Sequence, residues 1–320
     1  MTGGLSAASC AALADVPQGA VRFDGARAPH AAETEGRGVV QVCEVLPGVR
    51  AGLHAFEAPR IVFRHAAEER VLEVYHCRGG RIGWNMRGGT AVYLGAGDLT
   101  VHSSACCADS EMMFPLGWAE GFSAAVDLDA LAAAPPEALR LAGVDCAALA
   151  ARYAAGAPTV LRADELPEAM FATLYAAPAA QRPAYLRLKM QELLLTLAAL
   201  PERRAETAPL LSAQAACVRE VHDLLTAHLD ERFTIEELSR RFLLNTSTLK
   251  QAFKAVYGQP IAAYMKEYRV RHAMRLLRES DDTVADIAAQ MGYGTQGKFA
   301  KAFQDVTGQR PSDYRRQSRG

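Results

Sequence analysis

No stretch of the 320-residue chain approaches the roughly 18 consecutive apolar residues that a membrane-spanning helix needs. Runs such as Leu197-Ala198-Ala199-Leu200 are typical, so a transmembrane helix is excluded. No basic residue precedes Arg22, so the charged start of a secretory signal is missing. Cysteines number seven, an odd count, with no Cys-x2-Cys spacing. That excludes a disulfide scaffold and points to a reducing, cytoplasmic setting. The eight histidines include no His-x-His pair, so no metal centre and no cofactor are expected. A phosphate-binding glycine loop and a nucleophile elbow are absent too, which removes the commonest enzyme signatures. The remaining composition, 50% hydrophobic and 22% charged, is that of a packed globular protein of two domains.

Charge is balanced overall at −1 but not locally. Residues 1–211 hold 18 basic and 23 acidic side chains, whereas residues 212–320 hold 17 basic and 13 acidic. Between Glu237 and Glu267 lie Arg240, Arg241, Lys250, Lys254 and Lys266 with no acid, and between Asp286 and Asp305 lie Lys298 and Lys301. The C-terminal third therefore suits a polyanion, although a solvated surface alone could carry this charge.

The texture of the chain changes twice. Residues 1–34 are rich in small residues and are expected to form a flexible extension. From 35 to 130, short apolar segments alternate with turn residues: 39–46, 60–65, 71–77, 81–86, 90–94, 99–103 and 122–128. In 81–86 the apolar Ile82, Trp84 and Met86 alternate with Arg81, Gly83 and Asn85, the period of a half-buried strand. Strands so spaced predict a small β-sandwich or jelly-roll barrel. From 131 to 204 alanine and leucine dominate, predicting a helical connector. Within it Leu186, Met190, Leu193, Leu194 and Leu197 share one face of a helix at 185–200, flanked by Pro183 and Pro201. That face packs either on its own domain or on a second copy. Residues 201–211 read as a linker.

The last hundred residues repeat themselves. Phe253, Gly258 and Tyr264 recur as Phe303, Gly308 and Tyr314, each 50 residues on, with Gln259 and Gln309, and Leu249 and Phe299, also in register. Ile235, Leu238 and Ser239 correspond to Val284, Ile287 and Ala288 at an offset of 49. An internal duplication of about fifty residues follows. Each half predicts a helix-turn-helix. Thr234 with Glu237, and Thr283, start the first helices; Thr246 or Ser247 starts the second helix of the first unit; Gly258 and Gly308 stop the second helices. Residues 261–278 form one helix of roughly 27 Å between the halves, close to the ~34 Å pitch of B-DNA.

Over 217–316 these motifs resemble the DNA-binding domain of the AraC/XylS family of bacterial transcription regulators. The carrying residues are Ile235-x2-Leu238-Ser239, Leu249-x3-Phe253-Lys254-x3-Gly258, Tyr264-x4-Arg269-x3-Ala273-x2-Leu276-Leu277, Ile287-Ala288-x3-Gly292-Tyr293, Lys298-Phe299-x3-Phe303 and Gly308-x2-Pro311-x2-Tyr314-Arg315. Leu249-Lys250, Lys298 and the 185–194 stretch resemble the branch that includes ferric-siderophore-responsive regulators. The resemblance implies an α+β chain: a cupin-like β-barrel sensor, a helical connector with a dimerisation helix, and an all-α domain at 212–320 of two helix-turn-helix units joined by a long helix. It implies double-stranded DNA, a small-molecule effector and RNA polymerase as partners of a homodimeric activator. Its reading positions fall on Ser247, Lys250, Gln251, Gln296, Gly297, Lys298 and Lys301. Lysine suits guanine and glutamine suits adenine, whereas Gly297 stands where the family usually has serine. Thr246, Thr248 and Lys254 are the candidate phosphate contacts.

In the barrel, Gly95-Ala96-Gly97-Asp98 resembles a cupin turn, and Tyr75, Trp84, Tyr93 and His102 are the candidates to line an effector pocket, against the alternative that they are core. The adjacent Cys106 and Cys107 read as thiols of no special role. Enzymatic alternatives fare poorly: a DNA-repair methyltransferase needs clustered cysteines, and a catalytic cupin needs the metal ligands that are missing. A ligand-independent DNA-binding regulator, whose barrel only dimerises, stays open.

Overall fold

The structure is a computed structural model that describes residues 4–25, 31–108, 110–154, 156–166, 170–201 and 210–319. The chain divides into two compact units, Met1–Ser212 and Ala213–Gly320. The linker expected at 201–211 falls largely outside the described residues.

In the first unit the strands are β1 (Ala20–Asp24), β2 (Ala31–Thr34), β3 (Arg37–Leu46), β4 (Val49–Glu57), β5 (Arg60–Arg64), β6 (Val71–Gly80), β7 (Ile82–Asn85), β8 (Thr90–Leu94), β9 (Leu99–Ser103), β10 (Glu111–Met113), β11 (Trp118–Asp127), β12 (Thr159–Leu161) and β13 (Leu210–Leu211). They form two sheets. One runs β1-β3-β4-β11-β6-β9-β12 and the other β13-β8-β7-β10-β5-β2. Except for the parallel pair β1 and β3, neighbours are antiparallel. The expected barrel is corrected in this respect: among the described residues the ladders form two open sheets and no closed ring. Phe56, Ile61, Ile82, Trp84, Leu94 and Phe114 pack in the core between them.

Strand β4 turns back from β3 at Pro47-Gly48, where Gly48 has φ +72°. Within β4, Gly52 is needed for a different reason: a Cβ there would lie 1.5 Å from the Gln41 carbonyl oxygen. The stretch expected to be an N-terminal extension instead carries helix α1 (Ala7–Leu13) along with β1 and β2. Leu13 and Val16 are buried against Val39 and Ala55, and Ser6 donates through both its backbone N–H and its hydroxyl to the Glu120 carboxylate at 3.0 and 2.7 Å. An alanine-rich helix shows little amphipathic contrast in sequence, yet two buried apolar residues are enough to dock it.

The helices α2 (Leu128–Ala133), α3 (Glu137–Leu141), α4 (Cys146–Tyr153), α5 (Ala172–Ala176) and α6 (Arg182–Ala199) complete this unit. Helix α6 is the one expected at 185–200. Its five apolar residues, Leu186, Met190, Leu193, Leu194 and Leu197, are buried in the same cluster as Val49, Val74 and Val126 of the sheet. The unit covers that face itself, so a second copy would have to dock elsewhere.

The second unit is helical: α7 (Ser212–Ala227), α8 (Ile235–Arg241), α9 (Thr246–Tyr257), α10 (Ile261–Glu279), α11 (Val284–Gln290), α12 (Gln296–Thr307) and α13 (Pro311–Arg319). No helix among the described residues is long and apolar enough to cross a membrane.

Candidate functional site

The duplication is visible in the geometry. In α8 the Thr234 backbone N–H donates to Glu237 Oε2 at 2.7 Å, and the Glu237 N–H donates to Thr234 Oγ1 at 3.2 Å. In α11 Thr283 and Asp286 make the same reciprocal pair at 3.2 and 3.1 Å. The Thr234 donors also hold the Glu237 carboxyl below the usual range. Helix α9 starts one residue earlier than expected: Asn245 caps it, its side-chain oxygen accepting from Thr248 N–H at 2.7 Å. Thr295 does the same for α12 through Lys298 N–H at 3.2 Å. Both helices end on left-handed glycines, Gly258 at φ +86° and Gly308 at φ +78°, a conformation without penalty only for glycine.

These helices bury one stripe and expose another. In α9, Leu249, Ala252, Phe253 and Val256 are buried, while Ser247, Lys250, Gln251 and Lys254 are exposed. The exposed four lie at positions i, i+3, i+4 and i+7, one face of a helix. In α12, Phe299, Ala302 and Phe303 are buried, while Gln296, Gly297, Lys298 and Lys301 are exposed. Thr246 and Thr248 are half-buried at the start of α9. The expected reading positions and Lys254 are therefore outward, and the phenylalanines between them are core. No ion pair engages Lys250, Lys254 or Lys298 among the described residues. At the 50-residue offset Ser247 corresponds to Gly297 and Gln251 to Lys301, so the two helices present different chemistry from equivalent places.

Arg269, on α10, fixes the loop that precedes α8. It is only 5% exposed. Its Nε donates to the Leu229 carbonyl at 2.9 Å and its Nη2 to the Glu231 carbonyl at 2.7 Å. Burial, and then neighbouring Arg232, lower its pKa. Arg232 in turn donates to the Gly292 carbonyl at 2.8 Å and covers the Tyr293 ring. The loop before α8 is thereby tied to the turn of the second helix-turn-helix.

The first unit contains a cavity of about 630 Å³ between its sheets, within the range that takes small ligands. Tyr75 and Trp84 line it as expected. Tyr93 does not: it is buried away from the wall, with its hydroxyl 3.6 Å from the Met113 sulfur. His102 lies just behind the wall, fully buried, with both ring nitrogens lacking a hydrogen-bond partner. The wall also brings together three residues that spacing did not single out, His65, Glu73 and Cys107. They are 8 and 34 residues apart in the chain, and no local pattern could have marked them. Burial, followed by the Glu73 carboxylate, pushes the Cys107 thiol well up; the protonated thiol donates to Glu73 Oε2 at 3.2 Å. His54, which also lines the cavity, is held down to about 3 by burial and by His76.

Comparison with known proteins finds a likeness within the second unit. Residues 238–317 match the family model described as a helix-turn-helix domain. A putative AraC-like transcription regulator of Streptomyces lividans is 38% identical over 84 residues, 26% of this chain and 28% of that protein. The HTH-type transcriptional regulator ExsA of Pseudomonas aeruginosa is 29% identical over 128 residues, 40% of this chain and 46% of that one. This chain thus spans less than half the length of either relative. Among solved structures, the DNA-binding domain of AdpA, described as a global transcriptional factor and crystallised with a target DNA, is 28% identical. The match covers 32% of this chain and 92% of that one with a TM-score of 0.31. Residues 238–317 are thus a helix-turn-helix domain similar to those of AraC-like transcription regulators.

Proposed function

We propose that the chain is a DNA-binding transcription regulator of the AraC type, whose C-terminal unit reads DNA through α9 and α12. The observation that carries the reading is the duplicated helix-turn-helix, with each second helix burying its phenylalanines and turning lysine and glutamine outward. Lys250, Gln251, Gln296, Lys298 and Lys301 are the base-reading side chains, with Ser247 and Gly297 beside them. Lys254, Thr246 and Thr248 position the helix on phosphates. The relatives are named as transcription regulators, and the reading includes no catalytic step. Leu249-Lys250 and Lys298-Phe299 favour the branch that includes ferric-siderophore-responsive regulators.

The first unit is the sensor in this reading. Two open sheets around a cavity are compatible with a cupin-like jelly roll. A small molecule that fits the cavity better in one arrangement of the protein than in another shifts their populations and so alters DNA binding. RNA polymerase is the further partner at promoters, and a homodimer would form through a face other than the buried stripe of α6.

The test is recovery of genomic fragments bound to the full-length protein. Enrichment of a few discrete sites is expected; uniform recovery that merely declines with salt would contradict a sequence-specific regulator.

A further inference from the structure

Three side chains on the cavity wall are arranged as metal ligands. His65 Nε2 lies 3.7 Å from Glu73 Oε1 and 3.7 Å from Cys107 Sγ, and Cys107 Sγ lies 3.2 Å from Glu73 Oε2. Zinc-type bonds of about 2.0–2.3 Å in tetrahedral geometry place neighbouring ligand atoms about 3.3–3.7 Å apart. With one donor atom taken from each residue, all three lie within 4.8 Å of one another, so small side-chain adjustments bring them to that span. The histidine is presented correctly. Its Nδ1 is 3.0 Å from the Ala66 carbonyl and 3.3 Å from the Ser104 hydroxyl, so the tautomer protonated at Nδ1 is satisfied there and leaves the Nε2 lone pair to the cluster. Such an outer partner is the usual support of a metal-bound imidazole.

A second observation is independent of the first. His102 is completely buried, and neither ring nitrogen has a hydrogen-bond partner. Its Nε2 stands 4.0 Å from Glu73 Oε2. A buried imidazole left unsatisfied is unfavourable, and an ion held by Glu73 would supply the missing partner. His65, Glu73 and Cys107 all reach the cavity, which gives an ion a path in.

We propose that His65, Glu73 and Cys107 bind one zinc-class divalent ion, the unpartnered His102 ring moving toward it from behind Glu73 to supply a fourth ligand. The mixed nitrogen, sulfur and oxygen set suits such a borderline ion better than calcium or magnesium. On binding, the Cys107 S–H bond breaks, a sulfur–metal bond forms, and the proton leaves to solvent. The inference deepens the sensor reading, since the ion would occupy the proposed sensing cavity, and it is testable apart from DNA.

The probe is cobalt(II), titrated into the purified, reduced full-length protein. One equivalent should produce the near-ultraviolet thiolate-to-cobalt band and strong visible bands of a tetrahedral site, and zinc should bleach them. Cys107→Ser should abolish the thiolate band, Cys106→Ser should keep it, and Glu73→Gln or His102→Gln should weaken cobalt binding at least tenfold. Absence of the band in the wild-type protein, or its survival in Cys107→Ser, would overturn the site; because the wild-type titration decides alone, a variant that fails to fold does not rescue the proposal. DNA affinity with and without zinc tests the sensor reading separately: if the bands appear and DNA binding is unchanged, the site stands and the sensing role falls.

Discussion

Arg269 is the single residue on which most of the C-terminal geometry converges. Replacing it with alanine leaves the Leu229 and Glu231 carbonyls without their charged donor. Hydrogen bonds to a charged group contribute about 1.5–3 kcal/mol each, so Arg269→Ala should lower the urea stability of this unit by about 3 kcal/mol. A loss below about 1 kcal/mol would mean that solvent satisfies those carbonyls. Lys254 acts at the same scale but in another currency. As a phosphate contact, Lys254→Ala should reduce the slope of log affinity against log salt by about 1 while leaving sequence preference intact, which binding isotherms at several salt concentrations would show. A changed preference with an unchanged slope would make it a base reader instead.

Among elements, two glycines near α12 separate architecture from recognition. Gly292 has φ +68°, and a Cβ there would lie 2.7 Å from the Asp230 carbonyl oxygen and 2.8 Å from that of Leu229. Gly297 has nothing within 4 Å of its missing Cβ and sits in the first turn of α12. Gly292→Ala should therefore destabilise the unit by about 1–3 kcal/mol, whereas Gly297→Ala should be neutral or stabilising by about 0.5–1 kcal/mol. Thermal melts of the two variants check this, and a Gly297→Ala loss as large as that of Gly292→Ala would contradict it. The same contrast explains what was readable in the sequence. The helix-turn-helix units were legible because caps, apolar stripes and terminal glycines act within a few residues of one another. Strand β4 was not, because its glycine marks the close passage of the Gln41 backbone and not a turn. The His65, Glu73 and Cys107 cluster escaped as well, since only sheet pairing and the turn after β9 bring those residues together. Tyr75 and Trp84 lie on the cavity wall, whereas Tyr93 follows the core alternative that the sequence also left open.

At the scale of the whole molecule, the first unit should lose stability in acid. His76 is buried in the first unit between the Phe122 and Phe171 rings, with Nδ1 2.6 Å from the Tyr175 hydroxyl. Burial lowers it from 6.5 to about 4, and His54 lies lower still. The unfolded chain takes up these protons near pH 6.5, while the folded unit resists until about pH 4. Stability is thus fully present above 6.5 and falls as pH drops through that window, by up to about 3 kcal/mol for His76. Urea melts followed through Trp84 and Trp118, the two tryptophans, should show that decline, and His76→Gln should flatten it. A profile unchanged between pH 7 and 4.5 would contradict the burial of these histidines.

The account rests most heavily on two reading helices of one chain meeting DNA with different side chains. Selection from a random DNA pool by the full-length protein, alongside Lys250→Ala and Lys298→Ala, addresses that directly. The expected result is a two-part motif with half-sites about one helical turn apart, one part blurred by each variant. Each substitution should lose about 1–3 kcal/mol of discrimination at its own position. A motif of one part only, or one that both variants blur at the same bases, would contradict it.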